Sequence, residues 1–233
     1  MKVILTGSTG FIGSEVLRQC LANSTITSII ALSRKPIPDS AGTENSRLKT
    51  VILKDFESYS EDILQDLAGA EACIWSLGST TRSVDQSRKI NLDYTMAAAN
   101  AFAASLCPQL GKGKKFRFVY LDGAMSERNP EKKLWFLQEI RRIRGETENK
   151  LIELAKEPAA RRSGFEAFVV KAGLVLNSSP VSMVLGTTLS IKVGELAAAM
   201  IDLALDGSER QILENVDLVK KGRELMTQAS TPK

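Results

Sequence analysis

The chain has 233 residues, of which 43% are hydrophobic and 25% are charged, and its formal net charge is +4. This is ordinary globular composition, and the length suits one α/β domain with a substantial core. The sequence has no histidine and no Cys-x-x-Cys pair, which argues against a zinc site and a Ser-His-Asp triad, and it has no long basic stripe that would predict a nucleic-acid partner.

Apolar segments are short throughout. None approaches the roughly 18 residues of a membrane span, and the first apolar run is too short for the core of a signal peptide. The three cysteines, Cys20, Cys73 and Cys107, lie in apolar surroundings and indicate reduced thiols. We therefore expect a cytoplasmic protein that binds no metal.

Short β-branched runs alternate with longer helical patterns along the chain. Strands are predicted at 3–6, 28–32, 50–53, 72–76, 116–121 and 166–170, and helices at 11–22, 60–69, 93–106, 132–157 and 193–207. Nearly uninterrupted apolar strands are typical of parallel strands covered on both faces, and parallel strands need helical crossovers. The pattern predicts a Rossmann-like, doubly wound parallel sheet, in a single three-layered α/β domain.

The domain is expected to span residues 1–226, followed by a frayed tail at 227–233. Residues 35–47 are polar and rich in turn formers, which predicts a surface loop. A second loop follows the sixth predicted strand. Because loops at the carboxyl ends of late strands build substrate pockets in such folds, we expect residues 177–192 to line one.

The first strand runs into the segment TGSTGFIG, Thr6–Gly13, whose glycines have the spacing GxxGxxG. Such glycines allow a tight turn, close backbone approach to a pyrophosphate, and close packing of the helix on the strand. The helix N-terminus then offers free amides and a partial positive charge. The segment predicts a dinucleotide cradle formed by Gly7, Ser8, Thr9, Gly10, Phe11, Ile12 and Gly13; the alternative is a turn that binds nothing.

The second strand ends in Ser33, Arg34 and Lys35, where an NAD site usually has an acidic residue. An acid would repel a 2′-phosphate, whereas a guanidinium can hold one with two N–H bonds. We therefore expect NADP(H) rather than NAD, the alternative being an exposed basic turn.

Later strand ends complete the predicted cofactor site. Asp55 and Phe56 follow the third strand, and Asp55 is the candidate to bond the adenine amine. The segment after the fourth strand is expected to pass beside the nicotinamide ribose. Its predicted cofactor residues are Leu77, Gly78 and Arg82.

Four segments together resemble the atypical short-chain dehydrogenase/reductase superfamily: ILTGSTGFIG, LGSTTR, NLDYTMAAANAFA and IRGETENKL. Within it, the chain is most similar to the Tat-interacting-protein-like group and its fungal relatives, with NmrA-like proteins more distant. The resemblance implies a Rossmann fold that binds NADP(H). It leaves the activity open, since the group includes reductases as well as regulatory proteins. Relatives often pair through their long helices, so the resemblance also implies a homodimer.

Short-chain dehydrogenases typically use Tyr-x-x-x-Lys on a helix and a serine after the fifth strand. This sequence has no Tyr-x-x-x-Lys. The family's Lys-Gly-Glu pattern places Arg144 at the lysine position and Ile140 at the tyrosine position, while Asp122 stands where the serine is usual. Arg144 is expected to hold ribose hydroxyls or a phosphate, because its pKa is too high for proton transfer near neutral pH.

Two residues are candidates for the missing proton donor. Asp122 is the first, because burial raises the pKa of a carboxyl; its alternative role is to cap a turn. Tyr94 is the second, and its alternative role is core packing. Asn91 lies one turn before Tyr94, where some relatives hold a water.

The segment VVKAGLVL resembles the family's Arg-Pro-Gly turn after the sixth strand, and its Gly173 is expected to let the backbone approach the nicotinamide amide. The sequence thus predicts an NADP(H)-dependent oxidoreductase acting on a small apolar carbonyl substrate. The alternative is an NADP-binding regulator, or a non-redox pocket enzyme such as an isomerase or cyclase, which needs only shape and a few polar groups.

Overall fold

A computed structural model describes residues 1–37, 45–78, 81, 83–177 and 187–230. Its strands are β1 (Lys2–Thr6), β2 (Ser28–Ser33), β3 (Leu48–Ile52), β4 (Ala72–Trp75), β5 (Phe116–Gly123), β6 (Phe165–Ala172), β7 (Leu174–Leu176), β8 (Ser190–Lys192) and β9 (Ile212–Glu214). Its helices are α1 (Phe11–Ala22), α2 (Glu61–Leu67), α3 (Val84–Ser87), α4 (Tyr94–Ser105), α5 (Gln138–Lys156), α6 (Pro158–Ser163), α7 (Val193–Leu205) and α8 (Asn215–Ser230). A π-helical turn, Arg88–Asp93, joins α3 to α4.

Seven strands form one parallel sheet in the order β3-β2-β1-β4-β5-β6-β9. The chain builds outward from β1 to β3 and then returns to continue from β4 on the other side of β1. The carboxyl ends of β1 and β4 therefore flank the point where strand order reverses, and ligands of open α/β sheets bind there. β7 and β8 pair as a separate two-stranded parallel ribbon.

The sheet is covered on both faces. Alternate residues of β1 point to opposite sides: Val3 and Leu5 pack in one buried cluster with α1, α7 and α8, and Ile4 packs in the other with α2, α4 and α5. The predicted three-layered Rossmann-like domain is thus confirmed. No helix among the described residues is long and apolar enough to cross a membrane.

Several elements differ from the prediction. The long helix begins at Gln138 rather than residue 132, because Leu137 adopts a left-handed conformation, with φ 47°, that a helix cannot continue through. The ribbon β7–β8 and the final pair β9 and α8 were not predicted from the sequence. Within its described part, the tail that we expected to fray after Met226 continues α8 as far as Ser230.

Candidate functional site

The turn between β1 and α1 is built on two glycines. Gly7 has φ 66°, and a Cβ there would lie 2.5 Å from the carbonyl oxygen of Ser76. A Cβ at Gly13 would lie 2.1 Å from the carbonyl oxygen of Gly7, so only glycine lets α1 pack this closely on the turn. Thr6 fixes β1 against β4, because its hydroxyl oxygen accepts from the amides of Ser76 and Leu77 at 3.2 Å.

The first turn of α1 suits an anion. Its N-cap, Gly10, makes no side-chain capping bond, and the turn contains no acidic residue. Beside it, the hydroxyl of Ser8 is buried and has no hydrogen-bond partner among the described residues. Buried hydroxyls are normally paired, so this one fits a ligand atom supplied from the cleft. These residues fit the diphosphate of a dinucleotide, with helix amides and a partial positive charge directed toward it.

A cleft of about 500 Å³ extends from this turn toward the end of β2. Arg34 and Lys35 are exposed at its edge, and no carboxylate in the described part of the chain pairs with either of them. The predicted cofactor residues that line it are Gly7, Ser8, Thr9, Ser33, Arg34, Lys35, Phe56 and Leu77. The cleft has the position of an adenosine half-site.

Asp55 is not placed with them. Its side chain is exposed and accepts a 3.2 Å hydrogen bond from the amide of Glu57, so it caps the turn after β3 rather than lining the cleft. The predicted bond from Asp55 to the adenine amine has no support in this arrangement.

On the other side of the turn, a cleft of about 440 Å³ runs along the ends of β4, β5 and β6. Asn91 and Asp122 contribute to its lining, together with eight predicted cofactor residues: Gly7, Gly10, Phe11, Ile12, Gly13, Gly78, Arg144 and Gly173. Because Gly7 lines both clefts, the two form one crevice that passes across the start of α1. Arg82 lies outside the described residues.

Asp122 and Arg144 meet in this second cleft. The Asp122 carboxylate accepts a 2.7 Å hydrogen bond from the Gly123 amide, and its Oδ1 lies 3.6 Å from Nη1 of Arg144. Its Oδ2 is buried without a hydrogen-bond partner among the described residues. Burial, with a smaller contribution from the carboxylate of Glu148, raises the pKa of Asp122 to about 7 against the opposing charge of Arg144. Near neutral pH, Asp122 is therefore able both to hold and to release a proton.

A buried polar cluster that the sequence did not indicate lies behind this pair. Glu148 of α5 is fully buried and pairs with Lys171 of β6, whose Nζ lies 2.9 Å from Oε1. Ser126 donates to Glu148 and accepts a 2.8 Å hydrogen bond from Lys171. The sequence contains two signals for such a cluster. One is a glutamate on the apolar face of a helix, and the other is a lysine in an apolar strand. The cluster fixes the segment after β5 against α5.

Gly145, in the RGETE segment, allows α5 to pack directly on the backbone that follows β5. A Cβ at this position would lie 1.9 Å from the carbonyl oxygen of Glu127. The Glu127 amide also donates to the carbonyl of Arg141 at 3.0 Å. The backbone after β5 therefore lies directly on α5, and this contact fixes the position of Arg144 in the cleft.

Asn91 lies in the π-helical turn and is buried at the second cleft. Its Nδ2 donates to Ser87 at 3.0 Å, and its carbonyl accepts from Thr147 of α5 at 3.2 Å. π-Helical turns occur frequently at functional sites. This one brings α4 and α5 together at the floor of the cleft.

Tyr94 is not brought to Asp122 and Arg144. Its ring packs on Phe56, with centroids 5.8 Å apart, and Lys89 lies over it at 5.7 Å. It does not contribute to the lining of either cleft. The arrangement matches the packing role and gives no support to Tyr94 as a proton donor.

Gly173 lines the second cleft, and its backbone is fixed by neighbours on the side of β8. Its amide donates to Oδ1 of Asn215 at 2.7 Å, and a Cβ there would lie 2.5 Å from the Leu189 carbonyl. The lack of a side chain at Gly173 therefore allows close contact with Leu189, and the approach of its backbone to a nicotinamide amide stays a prediction. Asn215 additionally donates to the carbonyls of Thr187 and Ser190, which fixes the strand β8.

An apolar pocket of about 610 Å³ adjoins the second cleft and shares Gly123, Arg144, Ala172 and Gly173 with it. Ile140, which the resemblance predicted at the position of the tyrosine, lines this pocket. Its other large apolar lining residues are Met125, Phe136, Leu137, Leu174 and Leu189. Of the predicted pocket loop 177–192, Thr188 and Leu189 contribute, and residues 178–186 lie outside the described part.

No protein-family model matches the chain. Two curated relatives are similar in sequence. Leucinostatins biosynthesis cluster protein T of Purpureocillium lilacinum is 33% identical over 165 residues, which are 69% of this chain and 55% of that protein. Protein FMP52, mitochondrial, of Candida albicans is 23% identical over 204 residues, covering 83% of this chain and 76% of that protein. The chain thus spans about half the length of the first relative.

Solved structures share the fold. DesIV of Streptomyces venezuelae, a dTDP-glucose 4,6-dehydratase with NAD bound, has a TM-score of 0.67 at 13% identity, over 100% of this chain and 82% of that one. Gre2 of Candida albicans, with NADPH, has a TM-score of 0.64 at 14% identity, over 92% and 77%. The short-chain dehydrogenase/reductase YIR035C of Saccharomyces cerevisiae has a TM-score of 0.67 at 15% identity, over 94% and 98%. The chain therefore has the Rossmann-like fold of NAD- and NADPH-binding short-chain dehydrogenase/reductase structures.

Proposed function

We propose that the protein is an NADP(H)-dependent oxidoreductase of the short-chain dehydrogenase/reductase type that reduces an apolar carbonyl substrate. The observation that carries the proposal is the position of Asp122 and Arg144. The pair lines the nicotinamide half of the dinucleotide crevice, and Arg144 also lines the adjoining apolar pocket. A titratable carboxyl and a fixed cation thus lie where coenzyme and substrate would meet.

Each group has a distinct task in this reaction. The amides at the start of α1 and the hydroxyl of Ser8 bind the diphosphate, and Arg34 binds the 2′-phosphate. NADPH held by these residues would supply the hydride that adds to the carbonyl carbon. Asp122, protonated at the start, gives its proton to the carbonyl oxygen as negative charge develops there. Arg144 remains charged throughout and holds the carboxyl and the substrate oxygen side by side.

The relatives support a metabolic role for the protein. The first relative is named as a protein of a leucinostatins biosynthesis cluster, and the Gre2 structure contains NADPH. We extend both to this chain as part of the proposal, together with the resemblance to the Tat-interacting-protein-like group.

Coenzyme titrations test the first half of the proposal. NADPH and NADH fluorescence are followed on addition of the wild-type protein, the Arg34→Ala variant and, as a matched control, Arg210→Ala, whose side chain is 76% exposed at the opposite edge of the sheet beside Asp217. We expect Arg34→Ala to weaken NADPH binding about tenfold, because charge-assisted bonds to a phosphate are lost, and to leave NADH binding nearly unchanged. Preference for NADH, or no binding of either coenzyme, would contradict the proposal.

Turnover tests the second half. A panel of apolar aldehydes and ketones is scored by loss of NADPH absorbance, with wild-type protein and with Asp122→Asn. The amide keeps an oxygen for the Gly123 amide but has no acidic proton, so we expect turnover to fall about 100-fold or more while NADPH affinity is kept. Undiminished turnover by Asp122→Asn would remove this residue from the chemistry.

A second function is favoured by one specific observation. Ile140 places an apolar side chain where the family has its tyrosine, and it lines the pocket. A pocket of this kind suits an NADP-binding regulator or a non-redox enzyme. Tight NADPH binding without turnover over the whole carbonyl panel would favour this second function.

A further inference from the structure

The apolar pocket beside the coenzyme crevice contains a second cation, Arg141, in addition to Arg144, to which the proposed reaction already assigns a task. Its only ionisable lining residues in the described part of the chain are Arg141 and Arg144. The two lie three positions apart on α5, so they are neighbours on one face of the helix. No aspartate or glutamate of the described residues lines the pocket with them.

Arg141 is held in place by the pocket itself. Its Nε donates to the carbonyl of Met125 at 2.6 Å, and its guanidinium carbon lies 4.9 Å from the centre of the Phe136 ring. This bond uses one of five N–H donors of the guanidinium. The positive charge of Arg141 also acts on the carboxylate of Glu127. That carboxylate is paired with Lys132 at 2.7 Å, so Glu127 and Lys132 together are neutral.

The remaining charges also leave a positive excess. Arg144 is 3.6 Å from Asp122, which faces the neighbouring crevice. Even with Asp122 ionised, two cations stand against one anion. A cation beside apolar walls in a site of low dielectric attracts an anion more strongly than the same cation would in water.

The rest of the pocket fits a hydrocarbon chain. Met125 and Leu189 line it and are nevertheless 60% and 62% exposed, as Leu137 and Leu174 are to a lesser degree. These four residues form an apolar rim around the mouth. Exposed apolar groups gathered at one opening are typical of a ligand site.

We propose that this pocket binds an aliphatic carboxylic acid, whose carboxylate lies between Arg141 and Arg144 and whose chain runs past Ile140 to the apolar rim. A planar guanidinium binds a carboxylate through two parallel bonds, which gives this anion an advantage over a neutral head group. That this acid is the substrate rests on the proposed function. If the protein reduces a carbonyl group of the bound acid, the substrate class is an aliphatic oxo acid.

Calorimetric titration with dodecanoate and with 1-dodecanol tests the binding site, since the two probes share a chain and differ in the head group. We expect wild-type protein to bind dodecanoate at least about tenfold more tightly than the alcohol, a difference of about 1.4 kcal/mol. Equal affinity for the two probes, or no binding of dodecanoate, would overturn the inference.

Variants of neighbouring arginines locate the carboxylate. Arg141→Gln is expected to raise the dissociation constant for dodecanoate about tenfold and to leave that for dodecanol unchanged. Arg141→Lys, which retains the positive charge, should keep most of the affinity. Arg142→Gln is the matched control, because Arg142 bonds the carbonyl of Lys132 and lies near Glu139 instead of lining the pocket. If Arg142→Gln weakened dodecanoate binding as much as Arg141→Gln, a general effect of net charge would explain the binding, and the inferred carboxylate site would be wrong.

NADPH titration of the same samples separates the two proposals. Protein that binds NADPH but not dodecanoate contradicts only the inference about the pocket. Protein that binds dodecanoate with the expected dependence on Arg141 but fails to bind NADPH supports the pocket and contradicts the oxidoreductase.

Discussion

Asp122 is the residue whose surroundings matter most to the site. In an unfolded chain its pKa is near the ordinary 3.8, and in the folded protein burial raises the pKa to about 7. Between these values, the folded state keeps a proton that the unfolded state releases. Its contribution to stability is therefore complete below about pH 4 and is lost as the pH rises through 7.

This difference predicts a specific pH dependence of stability. Between about pH 5 and pH 8, the free energy of unfolding of wild-type protein should fall more than that of Asp122→Asn, because the variant has no carboxyl to ionise in the buried site. Urea unfolding of both proteins at the two pH values measures it. Parallel pH profiles would mean that Asp122 ionises in the folded protein as readily as in water.

The other site residues show which roles can be predicted from residue type and position in the sequence. Asp122 and Arg144 were both predicted and are brought together, because the end of a strand and the pattern RGETE fix their positions in the fold. Tyr94 and Gly173 were assigned roles by analogy, and contacts distant in sequence fix the surroundings of both: Phe56 packs on the tyrosine and Asn215 bonds the glycine amide. Such partners leave no local pattern in a single sequence.

Among the elements, α5 does most to shape the site. It supplies Ile140, Arg141 and Arg144 to the pocket, and its contact with the backbone after β5 depends on Gly145. A side chain at that position has to move either the helix or the backbone at Glu127, because a carbonyl oxygen lies only 1.9 Å from the Cβ site.

Gly145→Ala should therefore destabilise the protein by about 1–3 kcal/mol, although alanine favours helices over glycine by about 1 kcal/mol. The matched control is Gly111→Ala, since a Cβ at Gly111 meets no atom within 4 Å. Denaturant unfolding compares the two variants with wild type. If Gly145→Ala were as stable as wild type, α5 and the segment after β5 would have to be less closely packed than the structure shows.

The sequence indicated elements with strong periodicity and missed those defined by tertiary contact. The six predicted strands are all present in the sheet, since their apolar runs are nearly uninterrupted. The start of α5 was placed too early, because the left-handed Leu137 has no signature in composition. β7, β8 and β9 have three residues each, too short for periodicity to detect.

At the scale of the whole molecule, the coenzyme crevice joins the two halves of the sheet. Gly7 lies in both clefts, and their lining includes the ends of β2, β4, β5 and β6. A ligand along this crevice contacts strands from both sides of the switch point. Its binding energy thus adds to the stability of the whole domain.

NADPH at about 100 times its dissociation constant should stabilise the protein by about 2.7 kcal/mol. For a chain of this size that corresponds to a rise in Tm of about 5–10 °C. Thermal unfolding followed by circular dichroism measures the shift, and Arg34→Ala at the same NADPH concentration should show a smaller one. An unchanged Tm at this NADPH concentration would mean that the coenzyme does not bind the folded protein in preference to the unfolded chain, which would contradict the proposed function.

Asn215 begins the last helix of the chain, yet through a single carboxamide it bonds Gly173, Thr187 and Ser190 at the wall of the apolar pocket. The coenzyme cradle, by contrast, is formed within the first third of the sequence. A residue far along the chain thus fixes one wall of the pocket, although most of the pocket lining comes from residues 123–144 and 172–174. Because Gly173 lines both the pocket and the adjoining crevice, loss of the Asn215 carboxamide would alter the walls of both at once.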